Sequence, residues 1–435
     1  MIDKIRTIFS IPELREKIFY TLAILIVVRV GAHIPIPGVD ANALSGAFDR
    51  LQDTLFGLFN MFVGGAFEKA SLFSLGIMPY ISSSIIIQLM GSVLPYFQRL
   101  QKEGEAGRKK ITQITRYGTV LIATMQSYGV TVFLEKELQV VVNPGFLFVF
   151  TAIISMVTGT ILLMWMGEKV TERGIGNGIS LIIMVGIVSR LPFVIGNEIR
   201  AVLAGEKLFI SEIVLMGVMF LVICFVVLLT QGTRKIPVQY AKRVVGRKVY
   251  GGQASHIPLK ILTAGVMPII FAQALMFIPQ LLGQFTEWSW LLNGFAPTAW
   301  AYNIVFAVLV IIFTYFYTAI AFNPADVADN MQKQGGFIPG VRPGRATSDF
   351  IDNILTRVTL PASIALAFIA ILPFIFQKYG NIDYSFAIFF GGTSIIIAVG
   401  VALDTMQQIE GHLVSRHYDG FLKTGRIKGR SKTRF

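Results

Sequence analysis

The sequence predicts an all-α membrane protein of ten transmembrane helices, and three observations carry that prediction. Apolar residues make up 54% of the chain and charged residues only 14%, against about 25% charged in an ordinary soluble domain. The mean hydropathy is +0.66. Ten runs approach the roughly 20 apolar residues needed to cross a bilayer, and Lys and Arg collect in alternate connections between them. A chain of 435 residues could otherwise form two or three soluble domains. One membrane-embedded bundle fits these runs instead.

The runs lie near 18–36, 73–95, 117–135, 146–167, 179–196, 209–231, 261–284, 302–323, 358–378 and 385–404. Turn chemistry separates them, as at Pro35-Ile36-Pro37-Gly38, Asn143-Pro144-Gly145 and Asn323-Pro324. None alternates with period two, so none is expected to be a strand. The first run is expected to stay in the protein, because no small-x-small cleavage site follows it and nine more spans do. The one cysteine, Cys224, excludes an intramolecular disulfide framework and a cysteine-based zinc site.

Lys and Arg set the orientation. With the N-terminus inside, thirty of the 38 fall in inside segments and six in outside segments; Arg29 and Arg190 lie near span ends. Both termini are then expected in the cytoplasm. Two inside segments, 232–260 and 324–357, are longer than topology requires and rich in Gly and Pro. The first carries Lys242-Arg243 and Arg247-Lys248, and the second carries Arg342. Charge alone would fix topology. The extra length points to a docking surface.

Ionisable residues at mid-membrane mark ion pathways, and no Asp, Glu or Lys falls near the middle of any run. Arg29 lies well past the midplane and is expected to snorkel outward. The interior polar residues are neutral: Ser82, Ser83, Ser84, Gln88, Gln126, Gln273 and Gln280. This disfavours a secondary transporter of small solutes, the other class that the span count allows. Enzyme signatures are thin too. There is no H-E-x-x-H, G-x-S-x-G or P-loop, so neither catalysis nor a cofactor or metal is expected. Gly174-Ile175-Gly176-Asn177-Gly178 follows a helix rather than a strand and reads as a flexible connection.

One segment breaks the pattern. Residues 57–67 are apolar, interrupted by Gly64-Gly65, and too short to span. Taken by itself the segment reads as interfacial. A re-entrant path would require a protein-lined or wet cavity, and hence a pore.

Taken together, these motifs resemble the SecY family, the central subunits of the bacterial protein-conducting translocase. The resemblance rests on Asn60-Met61-Phe62 with Gly64-Gly65, Leu75-Gly76-Ile77-Met78-Pro79-Tyr80-Ile81, Lys102-Glu103-Gly104-Glu105, Thr171-Glu172-Arg173 leading into the glycine run at 174–178, and Phe337-Ile338-Pro339-Gly340-Val341-Arg342-Pro343-Gly344. It implies two pseudo-symmetric five-helix halves, 1–196 and 197–435, around a central pore. It implies a pore ring at Ile77, Ile81, Ile179, Ile183, Ile270 and Ile397, and a plug over about 57–70 that includes Asn60, Met61, Phe62, Gly64 and Gly65. Spans two and seven would form a lateral gate, with Ser82, Gln88, Gln126 and Thr263 on it; where many relatives carry asparagine this chain has Leu262 followed by Thr263. Lys242, Arg243, Arg247, Lys248 and Arg342 would dock a SecA motor ATPase or a ribosome, the latter through RNA backbone. SecE-type and SecG-type small membrane subunits, preprotein signal sequences and lipids complete the implied partners. The implied location is the cytoplasmic (inner) membrane, and the implied activity is passage of unfolded preproteins across it and of transmembrane helices sideways into lipid.

Overall fold

A computed structural model of the chain describes residues 11–48, 55–205, 207, 209–240, 243–245, 248–250, 254–286, 294–380, 382 and 384–424. Each of the ten predicted runs holds helix. In order, the helices are α1 (Pro12–Gly31), α2 (Ala41–Phe48), α3 (Leu55–Phe62), α4 (Met78–Val93), α5 (Pro95–Lys102), α6 (Glu105–Val132), α7 (Phe146–Arg173), α8 (Gly178–Leu203) and α9 (Phe209–Gln231). After strands β1 (Thr233–Tyr240), β2 (Arg243–Val245), β3 (Lys248–Tyr250) and β4 (Ala254–Lys260) come α10 (Met267–Thr286), α11 (Trp300–Ala321) and α12 (Pro324–Lys333). Strand β5 (Gly336–Phe337) precedes α13 (Arg345–Gly380), α14 (Tyr384–Gly391) and α15 (Thr393–Thr424).

By length and composition, six of the described helices could cross a membrane unaided, and the pair α4–α5 would make a seventh. The remaining runs are amphipathic or broken for visible reasons. Helix α1 starts six residues before its apolar run, so Glu13, Arg15, Glu16 and Lys17 join its first turns. Helix α6 opens on Arg108, Lys109 and Lys110. The apolar part of α10 is only Met267–Met276, because a turn containing Gly265 at φ +59° takes up the first residues of the expected span. Leu94, extended before Pro95, ends α4 and turns the chain through 97° into α5.

Helices from 12–203 pack mainly on one another: α4 on α6, α6 on α7, α7 on α8, and α1 on both α7 and α8. Those from 209–424 do the same through α10–α11, α11–α13 and α13–α14. Two seams join the sets, α4 against α10 on one side and α8 against α14 and α15 on the other.

One segment expected as a long loop is a β-hairpin. Strand β1 pairs antiparallel with β4 from Thr233↔Lys260 to Gln239↔Ala254, and β5 adds to its other edge at Gln239↔Phe337 and Tyr240↔Gly336. The two long basic segments are therefore one unit. A small core of Ile236, Val238, Leu259, Met331, Ile338 and Ile351 fills it.

Candidate functional site

The segment read as interfacial is buried instead. Asn60 is 0% exposed, and Met61 and Phe62 are nearly so. Helix α3 packs on α8. At its end the chain reverses: the Gly64 N–H donates to the Met61 carbonyl (3.1 Å) and the Gly65 N–H to the Asn60 carbonyl (2.8 Å). Gly64 has φ +69°, and a Cβ placed there would lie 2.8 Å from the Gly186 Cα on α8. Only glycine meets both the backbone angle and the close approach. The Ser394 hydroxyl at the start of α15 reaches the Met61 sulfur (3.7 Å).

Polar contacts hold the segment from both sides. Arg29 Nη1 donates to the Gly64 carbonyl (3.2 Å), so this arginine turns inward rather than snorkelling out. A protein carbonyl in reach offers what the headgroup region would. The Arg190 guanidinium pairs with the Glu68 carboxylate. Asn60 Nδ2 also donates to Glu68 Oε2, and the Glu68 N–H returns a bond to Asn60 Oδ1, both at 3.1 Å. The sequence reading missed Glu68 and the roles of Arg29 and Arg190. A signal was present: Glu68 is the lone acid in the 57–70 segment, and Arg190 sits one helical turn beyond Gly186.

The segment packs into a large apolar core. Ile77, Ile81, Ile183, Ile270 and Ile397 are all buried in one cluster, with Ile179 packed against it half-buried. Met61 and Phe62 belong to the same cluster. The six isoleucines come from α4 and its N-terminal cap, α8, α10 and α15, hence from both helix sets and both seams.

The α4–α10 seam contains a small cavity of about 20 Å³ lined by Phe59, Phe62, Met78, Ser82, Gln126, Gln273 and Ala274. Gln126 is buried, and its Oε1 has no hydrogen-bond partner among the described residues. Gln88 instead bonds within its own helix, to the Ser84 hydroxyl (3.2 Å). Thr263 donates to the Lys260 carbonyl (2.8 Å), away from α4. The structure thus places Ser82 and Gln126 at the seam with Gln273, while Gln88 and Thr263 make local bonds.

At the end that carries the hairpin, an open cavity of about 530 Å³ has Asn177, Lys260, Tyr317, Asp404 and Gln408 in its wall. Arg342 is exposed in the turn before α13, where its carbonyl accepts from the Thr347 hydroxyl (2.8 Å). Arg243 and Lys248 fall on the short β2–β3 hairpin, opposite Tyr250 and Val245. Lys242 and Arg247 lie outside the described residues.

Comparison with known proteins gives a consistent result. The SecY family model matches residues 71–406. The protein translocase subunit SecY of Escherichia coli K12 is 44% identical over 97% of this chain and 96% of its own length. That of Thermotoga maritima is 41% identical over 97% and 98%. Among solved structures, one described as a protein conducting channel superposes with TM-score 0.65 at 18% identity, covering 93% of this chain and 94% of that one. Sec61 from a canine ribosome-channel complex superposes with TM-score 0.61 at 17% identity and the same coverage.

Proposed function

The chain belongs to the SecY family, and from that premise we propose how this protein-conducting channel of a multi-pass membrane protein works. The protein is a translocase subunit, not a carrier of small solutes, and it acts with SecE-type and SecG-type subunits, the SecA motor and the ribosome. It is a passive channel of the cytoplasmic membrane with both termini inside, and it catalyses no reaction of its own. The boundary expected at 196 falls inside α8, and the helices of 12–203 and those of 209–424 move as two halves about an apolar waist. The isoleucines at 77, 81, 179, 183, 270 and 397 form the ring around an extended polypeptide.

The observation that carries this reading is the buried 57–70 segment, packed in one apolar core with the six isoleucines and tied down by a few polar contacts. Such a stopper seals a resting pore and can leave. An isoleucine collar keeps ions out when the pore is empty, and it yields when a chain fills it. Helices α4 and α10 make the lateral gate, with Ser82 and Gln126 on its seam. The hairpin unit and Arg342 form the docking surface, where energy enters from a partner.

Vesicles holding the channel and its small subunits test the reading. A preprotein should enter only with SecA and ATP, and Arg342→Glu should cut that import about tenfold or more with channel abundance unchanged. Import without any driving partner would overturn the passive channel. Normal import by Arg342→Glu would remove that residue from the docking surface.

A further inference from the structure

The glycine run at 174–178, expected to be a flexible connection, is pinned in place. The Ile175 N–H donates to the Thr21 hydroxyl on α1 (3.1 Å), and the Gly176 N–H to Gln408 Oε1 on α15 (2.9 Å). The Gly178 N–H donates to the Thr171 hydroxyl (2.9 Å), and Asn177 caps α8 by accepting from the N–H groups of Ile179 and Ser180. Gly176 has φ +83°, and a Cβ there would meet Leu181 and Thr405 at 3.0 and 3.1 Å. The turn therefore sits directly on α15.

The same stretch of α15 holds the root of the hairpin. Lys260 Nζ donates to Gln407 Oε1 (3.0 Å) and lies 4.0 Å from Asp404 Oδ1. The root is closed by the Ile261 N–H on the Gly232 carbonyl (2.8 Å). From there β1 and β4 run as a paired arm about 20 Å long, at roughly 3.4 Å per residue. Adjacent glutamines on one helix thus hold the arm on one side and the first turn of α8 on the other.

We propose that Lys260, Gln407 and Gln408 form a clasp through which load on the hairpin reaches α8 and α15 rather than α10 alone. Gln407 and Gln408 are positioning residues: they touch no substrate, and they set where two ring-bearing helices stand. Ile179 follows the pinned turn within one helical turn, and Ile397 lies about 15 Å up α15 at 1.5 Å per residue. A shift of the arm moves the lower end of α15, and the Gly176–Gln408 bond carries that shift to the α8 isoleucines. Buried backbone N–H groups keep their partners, so the turn follows α15 instead of releasing it.

The proposal rests on the docking role given above for the hairpin, and hydrogen exchange on the intact complex tests it. The probe is SecA with a non-hydrolysable ATP analogue. SecA binding should change exchange at amides 175–180 by about fivefold or more in the unmodified channel. D404N/Q407A, which removes the α15 partners of Lys260 and leaves the hairpin itself untouched, should abolish that response with SecA affinity held within about twofold. Q408L should speed resting exchange at Gly176 about tenfold, and Q408E, which keeps an acceptor, should not. A response that survives in D404N/Q407A overturns the clasp. So does SecA binding that leaves amides 175–180 unmoved, a proportional loss of SecA affinity in the double variant, or Q408L exchange like the unmodified channel. A channel that does not bind SecA at all overturns the docking reading along with the clasp.

Discussion

The two seams between the helix sets are built from different materials. Along α8 and α15 the contacts are glycine-close and the backbone is pinned: a Cβ on Gly176 would lie 3.1 Å from the Thr405 hydroxyl, and the Gly176 N–H bonds to Gln408. Along α4 and α10 there is a small cavity instead, with Ser82, Gln126 and Gln273 in its wall and one buried acceptor without a partner among the described residues. Tight packing with satisfied donors resists separation, because every displacement opens a void or orphans a group. A seam with a void and an unpaired acceptor already has both, so parting it costs less. The difference teaches which side should hinge and which should open.

The hardest way to break that comparison is to wedge the 57–70 segment off α8, a helix of the tight seam. Gly64→Val puts a branched side chain at φ +69° and against the Gly186 backbone. Strain and overlap together should cost about 3 kcal/mol or more, which is on the order of a hundredfold shift toward an unseated 57–70 segment. Planar-bilayer conductance with no substrate should rise steeply. A variant as tight to ions as the unmodified channel would show that the Gly64–Gly186 approach does not hold the seal.

A smaller change sharpens the same side. Glu68→Gln keeps the size and the bonding to Asn60 but removes the ion pair with Arg190. Both side chains are about a quarter exposed, so the loss should be about 1–2 kcal/mol, or roughly tenfold in resting leak. Arg190→Gln should do the same, and the double variant should add little more. Full additivity in that cycle would mean the two charges act independently.

How much of this was legible in the sequence follows from the range of the interactions. Spans were, because twenty apolar residues in a row report themselves locally. The β-hairpin was half-legible. Ile236, Val238 and Tyr240 alternate as a strand should, but Pro237 within the run argues against a strand, and Gly and Pro nearby suggested loop. Burial of the 57–70 segment was not legible, since an apolar stretch of that length has the same composition on a bilayer surface or under a pore. Its partners are Arg29 and Arg190, and the Glu68–Arg190 pair spans 122 residues. The pinned turn at 174–178 was misread for the same reason. Glycines announce conformational freedom, while the acceptors that remove it come from Thr21 and Gln408 far along the chain.

The smallest expected effect is the most discriminating, because its sign is at stake. Neutral polar residues on the α4–α10 seam could latch it shut, at about 0.6 kcal/mol per bond in a membrane. On that view Gln126→Leu should loosen the gate. The geometry argues the reverse. Gln126 Oε1 is buried with no partner among the described residues, and an unmet buried acceptor costs about 1–3 kcal/mol. Leucine is close in volume and has nothing to satisfy, so the closed seam should gain about 1 kcal/mol, near the low end of that range. Opening by a weak signal sequence should then fall roughly fivefold, while a strongly hydrophobic one is nearly unaffected. Crosslinking of cysteines placed across the seam, with and without a stalled preprotein, reads this directly. If Gln126→Leu opens more readily than the unmodified channel, the glutamine is a latch and the two seams differ less than their packing implies.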